Sequence, residues 1–202
     1  MDLTPITLEG RHVRLEPLGP EHIDGLTAVG LDPELWRLIP TQITSRAEMA
    51  QYVDIALQWR AANSALPFAT IARATNTVVG CTRFANVDHA NRRVEIGWTW
   101  IAPAWQRTAI NTEAKYLMFR HAFETLGCIR VELKTDVLNA RSRAAMLRIG
   151  AKFEGVFRNH MILADRIRDS AYFSVINSEF PEVRAHLEEL IQRGSTSEGS
   201  KI

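Results

Sequence analysis

The chain has 202 residues, 46% of them hydrophobic and 23% charged, which predicts a single globular domain with a substantial core. Its 24 basic and 23 acidic residues leave a formal net charge of +1, so charge gives no argument for binding nucleic acid or an anionic membrane. The first ten residues lack the features of a signal peptide and no hydrophobic run approaches the roughly 20 residues that span a bilayer, so we expect a cytoplasmic protein.

The predicted elements begin with one strand and two helices. Residues 12–18 alternate apolar and charged side chains and predict a strand that ends at Pro17. Residues 19–30 predict a helix with Pro20 in its first turn and Gly30 at its exit. A second helix is predicted from a Ser45–Glu48 capping box to near residue 63, with one apolar stripe formed by Met49, Tyr52, Val53, Ala56 and Leu57.

Three strands and a long helix follow. Residues 66–74 and 78–87 flank a short turn and predict an antiparallel pair, and residues 92–102 predict a third strand that Pro103 ends. The long helix then follows a polar corner and ends at Gly127. Its apolar residues recur at helical spacing and are Ile110, Ala114, Leu117, Met118, Ala122 and Leu126.

The remaining elements are a strand, a short helix, two strands and a last helix. The strand covers residues 129–137 and the short helix covers 140–151, with Gly150 at its end. Two strands, 152–162 and 169–176, surround a turn, and a helix is predicted over 181–193 with Pro181 at its start. The small and polar residues 194–202 predict a disordered tail.

This order of elements predicts an α+β fold with one mixed, mostly antiparallel sheet, and not a doubly wound parallel sheet. The third strand, the long helix and the next strand form a βαβ crossover, so those two strands should be parallel and the connection right-handed. A ligand site is predicted at the corner between the third strand and the long helix, within residues 103–112.

That corner has the chemistry of an anion site. The start of a helix exposes unpaired backbone N–H groups and the positive end of the helix dipole, and both favour a phosphate. Thr108, Asn111 and Thr112 add neutral donors, and Arg107 adds positive charge. The alternative is that these polar residues only cap a surface helix.

Several other kinds of site are absent from the sequence. It contains no P-loop, no Rossmann glycine motif and no G-x-S-x-G nucleophile motif. Its six histidines have no metal-binding spacing, so no metal site is predicted. The two cysteines, Cys81 and Cys128, are expected to be reduced and buried.

The corner resembles the phosphate loop of the GCN5-related N-acetyltransferase (GNAT) superfamily, V/I-x-P-x-x-Q/R-x-x-G-x-G/A. The match consists of Ile101, Pro103 and Gln106. At the position of Ala109 the family usually has Gly, and at the position of Asn111 it usually has Gly or Ala. A second segment is similar to the branch that acetylates the N-termini of ribosomal proteins, and it is carried by Asn139, Ser142, Gly150, Phe153, Glu154 and Gly155. The opening strand and helix also resemble that branch, so the likeness covers about residues 8–177.

The resemblance implies one GNAT-like domain over residues 1–193, with two splayed central strands and flanking helices. It also implies acetyl-CoA as co-substrate, bound at the splayed strands and at the corner. The implied coenzyme contacts are Ile101, Gln106, Arg107, Thr108, Ala109, Ile110, Asn111, Thr112, Asn139 and Arg143. Ala109 suits the loop if its φ is negative, and Asn111 either binds the phosphates or crowds them.

Roles in acetyl transfer follow from the same resemblance. Glu95 on the third strand is the implied base for the amine, and Ser142, with Asn139, is the implied proton donor to the departing thiolate; Tyr172 is a second choice as acid. Trp36 and Trp98 are the implied walls of the acceptor pocket. The structural alternatives are an outward-facing strand glutamate, a helix cap and core tryptophans.

The function expected from these features is acetyl transfer from acetyl-CoA to a primary amine by direct attack in a ternary complex. A protein N-terminal α-amine is slightly favoured over a small-molecule amine, and a homodimer is one option for the assembly. The alternatives are a non-catalytic acyl-CoA-binding or regulatory module, and an interaction domain with no ligand.

Overall fold

The computed structural model describes the backbone of residues 1–198 and the side chains of residues 1–193, and its central element is an eight-stranded sheet. The strands are β1 (Leu8–Glu9), β2 (Val13–Pro17), β3 (Leu66–Ala72), β4 (Thr77–Asp88), β5 (Arg93–Ile101), β6 (Arg130–Asp136), β7 (Lys152–Ile162) and β8 (Ile167–Ile176). The helices are α1 (Ile23–Gly30), α2 (Pro33–Trp36), α3 (Arg46–Ala61), α4 (Ala109–Arg120), α5 (Ala140–Arg148) and α6 (Phe180–Glu198).

The strands lie in the order β1-β2-β3-β4-β5-β6-β8-β7. Every neighbouring pair is antiparallel except β5 and β6, which are parallel and are connected by α4. The predicted α+β class, the mixed sheet and the crossover are therefore confirmed. Because β8 pairs with both β6 and β7, the strand β7 lies at the edge of the sheet.

The two parallel strands separate soon after they meet. β5 and β6 pair only at Arg93–Glu95 opposite Arg130–Glu132. Beyond that point β5 stays paired with β4 as far as Ile101, while β6 stays paired with β8 as far as Asp136. The strands are thus splayed from residue 96 onward, as the family resemblance implied. A register shift between β4 and β5 and a positive φ of 49° at Trp98 mark an irregularity in this stretch.

Each face of the sheet has its own hydrophobic core. Helices α4 and α6 cover one face, with Phe84, Leu117, Met118, Val131 and Phe173 among the buried residues. Helices α1, α2 and α3 pack against the other face over β3 to β5, where the buried side chains include Leu26, Trp36, Met49, Val53 and Trp100. On this second face, β6 and β8 present polar side chains, including Lys134 and Tyr172. One face thus changes from apolar to polar where β5 separates from β6.

Most helix boundaries follow the local signals in the sequence. Ser45 caps α3 by accepting a hydrogen bond from the Glu48 amide at 3.3 Å. The Glu48 carboxylate in turn accepts a hydrogen bond from the amide of Thr44, the residue before the cap, at 2.6 Å. The long helix continues through a π-helical turn, His121–Thr125, and stops at Gly127, whose φ is +65°.

Three features differ from the sequence prediction. The strand β1 and the helix α2 were not predicted, because two and four residues are too short to give a periodic pattern. Helix α6 continues to Glu198, so residues 194–198 of the predicted disordered tail are helical; residues 199–202 lie outside the described part of the chain. The domain limits of 1–193 stay a prediction. None of the helices in residues 1–198 has the length and hydrophobicity needed to cross a bilayer.

Candidate functional site

A cleft opens in the middle of the sheet where β5 leaves β6. Gly97, Trp98 and Thr99 are half-exposed although they lie on a central strand, because the neighbouring strand has separated from them. The edge of β5 beyond Glu95 no longer pairs with β6, so it can bind an extended ligand by strand-like hydrogen bonds, apart from the Ile101 carbonyl, which accepts from Gln106. The cleft is therefore a site for a long, narrow molecule.

The end of this cleft is the corner between β5 and α4. Thr108 caps α4 by accepting a hydrogen bond from the Ile110 amide at 3.3 Å, and the other amides of the first turn have no intrahelical acceptor. The positive φ in this loop falls on Arg107, at +62°, while Ala109 lies in the first helical turn. Alanine is therefore accommodated without strain at a position where the family usually has glycine.

Helix α5 is tied to this corner by two hydrogen bonds. Arg141 Nη1 donates to Gln106 Oε1 at 2.7 Å, and the amide of the same glutamine donates to the Ile101 carbonyl at 2.8 Å. Arg148 Nη2 donates to Thr112 Oγ1 at 2.9 Å. These contacts hold the loop against α5 and place Arg141 and Arg148 beside the corner.

The start of α5 is held by the side chain of Asn139. Its Oδ1 accepts a hydrogen bond from the Ser142 amide at 2.9 Å, so Asn139 is the helix cap and Ser142 is the third residue of the helix. Arg143 donates to the Val137 carbonyl at 3.3 Å, and its Nε is buried without a hydrogen-bond partner among the described residues. The same is true of Asn111 Oδ1.

The corner fits a phosphorylated ligand. Residues 103–112 contain no aspartate or glutamate, while Arg107, Arg141 and Arg143 supply positive charge from the loop and from α5. First-turn amides and the helix dipole add further affinity for an anion. The buried Nε of Arg143 is a donor that an anionic ligand would satisfy.

Glu95 lies where the two strands begin to separate. Its side chain is 2% exposed, and its Oε2 accepts hydrogen bonds from Lys134 Nζ at 2.9 Å and from Asn86 Nδ2 at 2.8 Å. Its other oxygen, Oε1, faces Gly97, where a Cβ atom would approach it to 2.7 Å. Both protein partners thus bind one oxygen and leave the second directed toward the cleft strand.

A chain of neutral polar groups continues from Lys134 onto β8 and β7. Lys134 Nζ lies 5.9 Å from the ring of Tyr172, whose hydroxyl is 3.4 Å from His160 Nε2. The other ring nitrogen of His160 contacts Ser170 Oγ at 2.9 Å. Burial lowers the pKa of His160 and raises the pKa of Tyr172. An open cavity of about 790 Å³ borders this chain and is lined by Phe157, Arg158, Asn159, His160 and Asp169.

The two tryptophans predicted to contact the acceptor lie in different surroundings. Trp98 is half-exposed in the cleft, and its ring packs edge-on against Trp59 at 5.1 Å. Trp36 is fully buried, donates its indole N–H to the Gly30 carbonyl at 2.8 Å and packs against Trp100. The prediction for Trp36 was wrong, because α2 turns this ring into the core and leaves it no surface for a substrate.

Beneath Trp98 lies a buried cation that the sequence analysis missed. Arg83 is 1% exposed, and its guanidinium carbon lies 5.1 to 5.3 Å from the rings of Tyr52, Trp59 and Trp98. Among the described residues it has no carboxylate partner, and its Nε and Nη2 have no hydrogen-bond acceptor. The aromatic faces stabilise this charge in place of an ion pair and support the cleft residue Trp98 from below.

Lys115 is the second buried cation that was missed. It projects from α4 toward β5, is 6% exposed, and donates to Thr99 Oγ1 at 2.7 Å; that hydroxyl also contacts Thr82 Oγ1 at 2.7 Å. Burial lowers the pKa of its ammonium group to about 7. The signal in the sequence was that the chain has 20 arginines and only four lysines, one of which lies within the apolar pattern of α4.

Thiol and metal chemistry find no support in the described residues. Cys81 and Cys128 are free and buried, and burial raises the pKa of both thiols. Among residues 1–193, whose side chains the structure describes, no cluster of three or more histidine, cysteine, aspartate or glutamate side chains has an arrangement that binds a metal ion.

Known proteins are similar to this chain in sequence and in fold. A family model described as "Acetyltransferase (GNAT) domain" matches residues 12–152. A Bacillus subtilis (strain 168) protein described as a ribosomal N-acetyltransferase, YdaF, is 34% identical over 52% of this chain and 56% of its own, so the chain spans little more than half of that relative. The uncharacterised N-acetyltransferase p20 of Bacillus licheniformis is 25% identical over 86% of this chain and 98% of its own.

Solved structures extend the likeness to nearly the whole chain. A GCN5-related N-acetyltransferase from Brucella melitensis has a TM-score of 0.86 and 34% identity, with 93% of this chain and 86% of that one covered. RimJ of Mycobacterium smegmatis, solved in complex with CoA-disulfide, has a TM-score of 0.81 at 20% identity over 93% and 96% of the two chains, which is a likeness of fold. The family match over residues 12–152 establishes that this chain belongs to the GNAT acetyltransferase family, and the splayed strands agree with it.

Proposed function

We propose that this protein transfers the acetyl group of acetyl-CoA to a primary amine, by direct attack of the amine on the thioester in a ternary complex. The observation that carries the proposal is the gap between β5 and β6, which ends at the open first turn of α4. A thioester arm needs such a gap, and a pyrophosphate needs such a helix start.

Acetyl-CoA would lie with its pantetheine arm along the free edge of β5 and its pyrophosphate on residues 107–112. Arg107, Arg141 and Arg143 are the cations available to its phosphates, and Gln106 holds the loop against Ile101. The fold likeness to RimJ, whose structure contains a CoA-disulfide, supports this placement. Backbone N–H groups on the stretch of β5 between Glu95 and Ile101 would polarise the thioester carbonyl.

The acceptor must be neutral before its nitrogen attacks the carbonyl carbon. We assign this deprotonation to Oε1 of Glu95, because the partners of this carboxylate, Lys134 and Asn86, both occupy Oε2. The contacts with Lys134 and Asn86 hold the carboxylate in a fixed orientation, as a general base requires. When the tetrahedral intermediate collapses, the CoA thiolate leaves; Ser142 Oγ is the assigned proton donor, on a turn that Asn139 fixes.

A protein N-terminal α-amine is the favoured acceptor. An α-amine has an ordinary pKa of about 7.7 to 8.0 against about 10.4 for a lysine side chain, so much more of it is neutral at physiological pH. The open cavity beside His160 and Tyr172 is large enough for the first residues of a peptide. The description of YdaF as a ribosomal N-acetyltransferase supports the same class of acceptor.

The competing function is a non-catalytic acyl-CoA-binding module. The observation in its favour is Asn111, whose larger side chain replaces a small residue in the loop and carries a buried, unpartnered oxygen. CoA release should be measured with a panel of peptides and small amines, together with calorimetric binding of acetyl-CoA. Turnover with any primary amine supports the enzyme, and turnover with peptides above small amines supports the favoured acceptor. Binding without turnover for every amine would contradict the proposal and favour the module.

A further inference from the structure

The chain contains few lysines, and two of them flank the cleft. It has four lysines against 20 arginines. Of the three described, Lys152 is a surface residue paired with Glu179 at 2.7 Å, and Lys134 is paired with Glu95. Lys115 differs from both, because it lies inside the protein and has no carboxylate within ion-pair distance among the described residues.

The amine of Lys115 is held against the strand that borders the cleft. Its hydrogen bond to Thr99 attaches it to the half-exposed stretch of β5, two residues before Ile101. Lys115 also lies six residues into α4, roughly 9 Å along the axis from the helix start where the phosphates would bind. A pantetheine arm that runs along β5 away from those phosphates would pass Thr99, the residue that holds this amine.

The surroundings of Lys115 favour its neutral form. Burial lowers the pKa of its ammonium group to about 7, whereas the carboxylate of Glu179 raises the pKa of Lys152, and Lys134 is paired with Glu95. A neutral amine has the lone pair that attacks a carbonyl carbon, and an ammonium group does not. Lys115 is thus the described lysine most ready to react with an acyl thioester.

We propose that Lys115 is a self-acetylation site, modified by acetyl-CoA bound in the cleft when no acceptor amine is present; this rests on the proposed function. The Nζ lone pair attacks the thioester carbonyl carbon, the C–N bond forms, and the C–S bond breaks with its electron pair leaving on sulfur. The proton released from the amine goes to the CoA thiolate, so the products are an acetyl-lysine amide and CoA thiol. The amide is uncharged and its nitrogen is no longer nucleophilic, so the modification stops at one acetyl group on this lysine.

The test is mass spectrometry of the intact protein after incubation with acetyl-CoA and no acceptor, followed by peptide mapping of all four lysines and the N-terminus. Acetyl-CoA binding is measured separately by calorimetry. The variants are Lys115→Arg and Lys115→Met, with Lys152→Arg as the matched surface control. Heat-denatured protein with the same acetyl-CoA reports ordinary chemical acetylation.

The expected result is a gain of one acetyl group per chain, mapped to Lys115, retained in Lys152→Arg and lost in both Lys115 variants and after denaturation. Binding of acetyl-CoA with no mass gain, or with acetylation only at other amines, would overturn the self-acetylation site and leave the proposed function standing. Absence of acetyl-CoA binding would overturn both. Equal labelling of native and denatured protein at Lys115 would also overturn the proposal, since the folded site would then contribute nothing.

Discussion

Replacing Lys115 by methionine should stabilise the protein, and by an amount that depends on pH. The pKa of this lysine falls from 10.5 in the unfolded chain to about 7 in the folded protein. At pH 7 Lys115 is fully protonated in the unfolded chain and about half protonated in the folded protein. The lowered pKa therefore makes folding less favourable by about 4 kcal/mol at this pH. Methionine fills a similar apolar volume and carries no charge, while Thr99 keeps its contact with Thr82.

The sign of the pH dependence follows from proton binding. Between pH 7 and 10.5 the unfolded wild type binds more protons than the folded protein, so the stability of the wild type rises with pH in this window. At pH 9 the lowered pKa of Lys115 destabilises the wild type by only about 2 kcal/mol. At either pH the variant loses the hydrogen bond to Thr99, which reduces its gain in stability by about 1 kcal/mol. Lys115→Met should thus be more stable than wild type by about 3 kcal/mol at pH 7 and about 1 kcal/mol at pH 9.

Urea unfolding followed by tryptophan fluorescence, at pH 7 and pH 9, measures both differences, and the chain has five tryptophans to report it. Lys152→Met, on the surface, is the control and should show little change at pH 7. A stability difference for Lys115→Met that is the same at both pH values, or a variant less stable than wild type at pH 7, would refute the account of Lys115 as a desolvated amine.

Three further changes test the site and its support. Glu95→Gln should lower the acetyl-transfer rate about 100-fold or more at pH 7 and less at high pH, where the amine loses its proton unaided; an unchanged pH–rate profile would remove Glu95 as the base. Ala109→Gly should leave the Kd for acetyl-CoA unchanged or lower it, because Ala109 is already helical, and a large loss of affinity in calorimetry would argue against the loop geometry. Glu113→Gln should destabilise the protein by about 2 kcal/mol, because this buried carboxylate accepts from the amides of residues 11–13 at 2.6 to 2.8 Å, and an unchanged Tm would contradict that role.

The sequence was enough to predict the elements whose side chains repeat over many residues. The apolar stripes predicted α3 and α4, the alternation predicted β2, and the turn and proline signals predicted β3 to β5, each within a few residues. The crossover between β5 and β6 followed from the order of elements and the handedness rule. The gap between those strands came from the family resemblance, because no local pattern predicts where two paired strands separate.

Two buried cations were not predicted and one tryptophan was assigned to the wrong place. These positions depend on contacts between distant parts of the chain. In the sequence Lys115 is one polar position in a predicted helix, and its hydrogen bond to Thr99 of β5 is visible only in the fold. Arg83 reads as an ordinary strand arginine, and its aromatic surroundings come from α3 and β5. Trp36 was assigned to the acceptor pocket, but the direction in which α2 turns its ring is set by packing against Trp100 and not by spacing. Burial and long-range pairing decide these three positions.

In our proposal the β5–β6 gap and the start of α4 form one binding site for acetyl-CoA. Hydrogen exchange of backbone amides, measured with and without saturating acetyl-CoA, tests it most directly. We expect added protection in residues 97–101 and 107–112, with little change in β2 and β3. Unchanged exchange in both segments, or protection confined to another part of the chain, would contradict it.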